Sequence, residues 1–246
     1  MPGRIHVGCA SSSLPREAQE HFAPGASHLA RYATRFTGVE INSSFHRPHK
    51  RALYEKWAQA VPPDFHFCAK LPKTITHERR LVGCEDLLAK FLEEEAGGLG
   101  EKLHCLLVQL PPSFAFDTGV AAAFLSLLRA SFAGSIAMEP RHATWFDPEA
   151  NALQRDLRIA RVLADPVRHE PGRRPGGWPG LVYLRLHGTP RVYYSSYEPP
   201  LLQALAARLL QAAEEAQEVW CIFDNTASGA ATANALDVQR LLDEGR

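Results

Sequence analysis

Residues 135–145 read SIAMEPRHATW. The first four, Ser135 to Met138, have the small and apolar character of a short buried strand. The run then ends in Glu139, Arg141 and His142, which puts a carboxylate, a guanidinium and an imidazole within four positions. Such a cluster is costly to bury unless it is paired or used. Whether other apolar runs end in the same way decides the fold.

They do. Eight short apolar or β-branched runs occur: IHVGC (5–9), GVEIN (38–42), FHFCAKL (65–71), LHCLLVQL (103–110), SIAME (135–139), ARVLAD (160–165), LVYLRLHG (181–188) and VWCIFDN (219–225). Stretches with helical periodicity lie between most of them, at 28–36, 49–60, 84–96, 118–131, 148–158, 199–216 and 228–244. Strand and helix in alternation describe βα units around a parallel sheet. Eight such units in 246 residues match a (β/α)8 barrel better than an open doubly wound sheet, which would need a glycine-rich crossover near its first strand. No GxGxxG or GxxxxGK[ST] motif is present. The segment HEPGRRPGGWPG (169–180) is too rich in proline and glycine for a helix. The expected fold is therefore a single domain over residues 1–246, an irregular TIM-type barrel of the α/β class with a loop in place of the helix between strands six and seven.

The composition is ordinary for a globular chain, 46% hydrophobic and 22% charged. Lysine plus arginine is 27 and aspartate plus glutamate is 27, so no net field draws the protein toward nucleic acid or an anionic membrane. Any anion site must be local. The N-terminus MPGRIHVGCASSS has no leader pattern, and no apolar stretch approaches the roughly 18 residues of a spanning helix. The expectation is a cytoplasmic protein with no membrane partner. Five cysteines without a CxxC pair argue against a disulfide framework or a structural zinc site. A catalytic thiol at Cys9 would need a neighbouring base.

In a parallel barrel the chemistry sits at the C-terminal ends of the strands. Those ends supply Glu40 with Asn42, then Lys70, Gln109, Glu139 with Arg141 and His142, Asp165, Arg185 with His187, and Asp224 with Asn225. Side chains alternate along a strand, so Glu40 and Asn42 share one face, as do Arg185 and His187. The charges compensate: Glu40, Glu139, Asp165 and Asp224 stand against Lys70, Arg141 and Arg185. A ring of this kind in a concave site describes a polar pocket. His77, with Arg79 and Arg80 in the loop after strand three, is placed to close on an anion, and Tyr193 and Tyr194 in PRVYYSSY to close over a ligand. Each has a structural alternative. Glu139 and Arg141 would also serve as an ion pair bracing the mouth, Asp165 before Pro166 as a turn former, Gln109 as a tie for the next turn, and the tyrosines as packing.

The segments VEINSSFH, FCAKLPKTITHERRL, LLVQLPPSF, MEPRHATW, YLRLHG with PRVYYSSY, and FDNTASGAATANAL run in this order from about residue 38 to the end. With them the chain resembles the YecE-like proteins, a family long labelled as a domain of unknown function. The resemblance implies an irregular TIM-type barrel. Two departures stand out. Where the family usually carries a Gly-Trp-Ser-Tyr-like motif after strand one, this chain has GCASSSLP, and where many members have paired asparagines it has Asp224-Asn225.

Three functional readings follow. The first is an enzyme of hydrolase, isomerase or lyase type on a small polar or anionic substrate. In it Lys70, Arg141 and Arg185 grip a phosphate or carboxylate, Glu139 or Glu40 acts as acid or base, and His187 shuttles a proton. It calls for no cofactor. The second is a divalent-metal enzyme using Glu40, Glu139, Asp165 and Asp224 as oxygen ligands. The third is a non-catalytic binder of a small ligand, or of a nucleic-acid base stacked on Tyr193 or Tyr194, which the neutral composition disfavours.

Overall fold

The computed structural model describes residues 2–245. Ten strands form: β1 (Arg4–Cys9), β2 (Gly38–Ile41), β3 (His66–Lys70), β4 (Leu103–Gln109), β5 (Ser135–Glu139), β6 (Ile159–Arg161), β7 (Leu163–Asp165), β8 (Gly176–Gly177), β9 (Leu181–Leu186) and β10 (Glu218–Phe223). They make two sheets, one in the order β1-β10-β9-β7 and one in the order β2-β3-β4-β5-β6-β8. All pairings are parallel except that of β6 with β8. The longer helices are Arg51–Gln59, Thr118–Ser131, Pro148–Asp156, Pro199–Glu215 and Ala230–Glu244. The stretch expected as a helix over 84–96 is α-helical only over Glu85–Ala89 and widens into π-type turns over Lys90–Glu95. As anticipated from its prolines and glycines, 169–180 holds no α-helix, only a 3₁₀ turn (Glu170–Arg173) and the two residues of β8.

The architecture is thus mixed α/β with parallel sheets, and two expectations need correction. The run 160–165 is not one strand. It changes sheet at Val162, whose N–H turns to Met138 O (2.8 Å) in the six-stranded sheet, while Asp165 O accepts from His187 N (2.8 Å) in the other. Nor does one continuous ladder close through all the strands. β1 and β2 lie side by side without pairing. A side-chain atom on Gly8 would come within 2.2 Å of Gly38 O, and the Tyr32 phenol sits between the two backbones. It accepts from Cys9 N (2.8 Å) and donates to Gly38 O (3.0 Å). Tyr32→Phe leaves both buried backbone groups without a partner and is expected to cost on the order of 2–3 kcal/mol. Urea unfolding of the two proteins checks this, with a lowered midpoint and an unchanged m-value expected.

Alternation sorts the strand residues. The outward set, including Phe67, Leu106, Val108, Ile136, Leu184, Val219 and Phe223, packs in the main core with the helices. The inward set forms a smaller cluster in which Leu181, Tyr183, Trp220 and Ile222 of one sheet meet Cys68, Cys105, Leu107 and Ala137 of the other. Continued by twos toward the strand ends, this inner face leaves the apolar band and reaches Glu40, Lys70, Gln109, Glu139, Arg185 and Asp224, all buried. Continued the other way it reaches His6 and Glu218, also buried.

Candidate functional site

Arg185 organises the C-terminal end of the inner face. Its guanidinium has no solvent exposure and reaches three carboxylates. Nε and Nη2 donate to the two oxygens of Glu40 (3.0 and 2.7 Å), Nη1 to Glu139 Oε2 (2.5 Å), and Nη2 also to Asp224 Oδ2 (3.0 Å). Glu40 and Glu139 belong to one sheet and Arg185 and Asp224 to the other, so the guanidinium also joins the two. Its planar fork is the geometry such bidentate contacts need. The Tyr183 hydroxyl adds a bond to Glu40 Oε2 (2.9 Å). Both oxygens of Glu40 are then taken, and the acid–base role expected for it gives way to that of a buried strut.

Glu139 faces three cationic groups. Arg141 donates to Oε1 through Nε (3.0 Å) with Nη2 at 2.9 Å, and His187 Nε2 lies 3.4 Å from the same oxygen without hydrogen-bond geometry. Burial alone would raise the Glu139 pKa, but the charges of Arg185 and His187 outweigh it and hold the carboxyl well below its ordinary range. His187 is held from its other nitrogen, Nδ1, by Asp224 Oδ2 (2.9 Å). Its burial is offset by the Glu139 charge and the bond to Asp224, which raise its pKa above the usual histidine value. Asp224 is lowered in turn: the Arg185 charge and the His187 bond overcome its burial. Asn42 Nδ2 is 3.5 Å from Asp224 Oδ1, and the Asn42 Oδ1 atom is buried without a partner.

Lys70 differs from the other charges. It is 5% exposed, its ammonium lies 4.1 Å from the centre of the Phe45 ring, and among the described residues it has no hydrogen bond or ion pair. Burial, reinforced by the Arg185 charge, brings its pKa down to about 8. His77 packs edge-on against the same Phe45 ring. Burial, then the charges of Lys70 and Arg141, lower its pKa, which places it in the same positive sector. Gln109 is buried opposite Glu139 in the ladder.

Glu139, Arg141 and His187 line a cavity of about 40 Å³ beside Val162, His169 and Tyr193. That is room for on the order of three waters. Tyr193 stands edge-on over His187 at the mouth, and its left-handed backbone (φ 70°) marks the tight turn that puts it there. Tyr194 is exposed and does not line the cavity, and the Arg191 guanidinium carbon lies 4.0 Å from its ring centre.

Three expected site residues serve the scaffold instead. Asp165 accepts from the Thr189 and Tyr197 hydroxyls (2.7 and 2.6 Å) and anchors the 188–197 loop. Asn225 donates to Ser195 O and Asn234 Oδ1 (both 2.9 Å) and holds the same loop from below. His142 caps the short turn Ala143–Phe146 by accepting from Thr144 N (3.3 Å). In the other direction, Tyr183, Phe45 and Tyr193's neighbour His169 belong to the site's surroundings and were not anticipated. Tyr183 was within reach, since it lies two positions before Arg185 on one strand face. Cys9 is buried beside Tyr32, and burial pushes its thiol up to about 12, which removes it as a thiolate nucleophile. Among the described residues the five cysteines are free and buried, and no helix is long and apolar enough to cross a membrane.

The fold and the rim thus define an α/β protein whose parallel strands end in a buried, charge-balanced polar cluster. The chain belongs to the family described as Protein of unknown function DUF72, which matches residues 6–246. It is 31% identical over 167 residues to the UPF0759 protein YecE of Escherichia coli (strain K12), covering 65% of this chain and 59% of that protein. The chain therefore spans less than two thirds of that relative's length. It is 24% identical to the UPF0759 protein YunF of Bacillus subtilis (strain 168), over 87% of this chain and 86% of that one. Among solved structures it is similar to a DUF72 family protein from Enterococcus faecalis V583, with a TM-score of 0.81, 25% identity, and coverage of 98% and 96% of the two chains.

Proposed function

We propose that the protein is an enzyme of hydrolase, isomerase or lyase type that takes a small anionic substrate at the C-terminal rim, and that its two sheets act as the arcs of an irregular TIM-type barrel. The observation that carries this reading is Lys70, a 5% exposed residue whose ammonium has no bonded partner among the described residues. Glu40, Glu139 and Asp224 provide three negative charges against the three positive charges of Lys70, Arg141 and Arg185. Yet all three carboxylates face Arg185, and Lys70 is left over a ring. A cation largely stripped of water and without a bonded partner is costly unless a ligand completes it. With His187 protonated the rim carries one positive charge more, which an incoming monoanion would balance.

Lys70 and the free edge of Arg141 would hold the anionic group. His187 would transfer a proton through Nε2, with Asp224 fixing the ring from Nδ1 and Glu139 setting its basicity. Arg141 and His187 line the cavity such a group would enter, with Lys70 outside its lining, and a longer substrate would displace Tyr193. A divalent metal at the rim fits less well, because the acidic groups it would need are bonded to Arg185 or, for Asp165, committed to the loop.

Inorganic phosphate is the probe. Phosphate is expected to raise the melting temperature of the wild type, and Lys70→Met to weaken its binding by about tenfold to a hundredfold, the equivalent of one charge-assisted contact. The same variant should unfold no more easily than wild type in the absence of phosphate, since it relieves an uncompensated charge. Phosphate binding that survives Lys70→Met unchanged would overturn the assignment.

A further inference from the structure

The opposite end of the inner face carries a second polar set, made by the first residues of three strands. His6 lies near the start of β1, His66 begins β3 and Glu218 begins β10. One ligand-capable atom from each lies within 4.8 Å of the others. His6 is 3% exposed and its Nε2 has no hydrogen bond, although it points at Glu218 Oε1 from 3.5 Å. His66 Nδ1 is likewise shielded from solvent and without a partner. Two buried imidazole nitrogens without partners beside one buried carboxylate call for a common partner, because a buried polar atom left unmade is costly.

The surroundings orient the set as metal ligands are usually oriented. His6 Nδ1 is 3.2 Å from the Thr37 hydroxyl, which directs Nε2 inward. Glu218 is steadied by Trp220 Nε1 on Oε1 (2.8 Å), Ser135 Oγ on Oε2 (2.7 Å) and His104 Nε2 at 2.9 Å. The His104 ring stacks on that of His66, with centres 4.1 Å apart.

We propose that His6, His66 and Glu218 bind a zinc-class divalent cation. Two imidazoles and one carboxylate form a three-ligand set suited to zinc, with the fourth position open to water. At metal–ligand distances of about 2.0–2.2 Å the donor atoms of a tetrahedral site lie roughly 3.5 Å apart. The widest pair must therefore close by about 1 Å, which the half-buried His66 can do by rotating. A cation held there would tie strands together. It joins β1 and β10 of one sheet to β3 of the other beside the unpaired β1–β2 edge, where His6 packs against Gly38.

The test uses the full chain, stripped with chelator and titrated with zinc ion alone by calorimetry, with cobalt substitution as the reporter of geometry. Saturable binding at one zinc per chain, a raised melting temperature, and the visible absorption of tetrahedral cobalt are expected. His66→Ala should weaken zinc binding by about tenfold or more and remove the thermal gain that zinc gives, whatever its effect on the stripped protein's own unfolding. Glu218→Gln, as an independent arm, should weaken binding similarly. Absence of saturable binding, or a His66→Ala protein that takes up zinc as tightly as wild type, would refute the site.

Discussion

Arg185→Met is expected to destabilise the protein by about 3–5 kcal/mol at neutral pH, because it removes the one cation that three buried carboxylates share. Against a typical total of roughly 5–15 kcal/mol this is a large share of the fold's stability. The pH dependence gives the effect a signature. In the wild type the folded pKa values of Glu139 and Asp224 are depressed. Their contribution is therefore present above the ordinary carboxylate range near pH 4 and is lost on acidification through the folded values. Without Arg185 the burial that now opposes ionisation prevails, and the carboxyls favour the protonated state. The stability gap between the two proteins should be widest near pH 7 and narrow below about pH 4. Denaturant titrations at several pH values measure it, and a constant gap of under 1 kcal/mol would show that the carboxylates do not depend on Arg185.

Glu139→Gln should come second in size, at the lower end of the same range of about 3–5 kcal/mol, since glutamine keeps the shape and can still accept from Arg185. Its distinguishing effect falls on His187. The Glu139 charge is the main influence raising that imidazole's pKa against its burial, so the variant's value should fall. A histidine with a raised folded pKa contributes stability that is fully present below its unfolded value near 6.5 and is lost as pH rises through the folded value. The variant should therefore lose more relative to wild type at pH 6 than at pH 8. NMR titration of His187 reads the shift directly. An unchanged His187 midpoint in the variant would separate the ring from Glu139 and with it the acid–base role.

Much of the site was legible because it obeys a period of two. Glu40 with Asn42 and Arg185 with His187 fall on one face by alternation, and apolar runs that end in charge mark where a buried face meets a polar pocket. What escaped was set by hydrogen bonding between distant segments. Nothing in ARVLAD announces that Val162 turns its N–H to one sheet while Asp165 serves the other. Asp165, Asn225 and His142 sit at strand ends as ligand residues do, yet their partners Thr189, Tyr197, Asn234 and Thr144 make them scaffold. Tyr32 reads as an ordinary core aromatic, and only the close approach of Gly8 to Gly38 gives its hydroxyl a task. His6, His66 and Glu218 were passed over because they occupy the opening residues of their strands, where the reading of a barrel directs no attention to chemistry.

The split into two sheets also bears on how the chain is made. The strands β2 to β6 come from residues 38–161 and pair only with one another or with Gly176–Gly177, so this sheet can assemble while the polypeptide is still being synthesised. β1 cannot join in that order. Its ladder partner is β10, with Arg4 opposite Glu218 and Cys9 opposite Phe223. β1 leaves the ribosome well before that partner and must therefore wait, with its edge unsatisfied, for more than two hundred residues to follow. Until then β1 is the segment most open to a wrong partner on a neighbouring nascent chain.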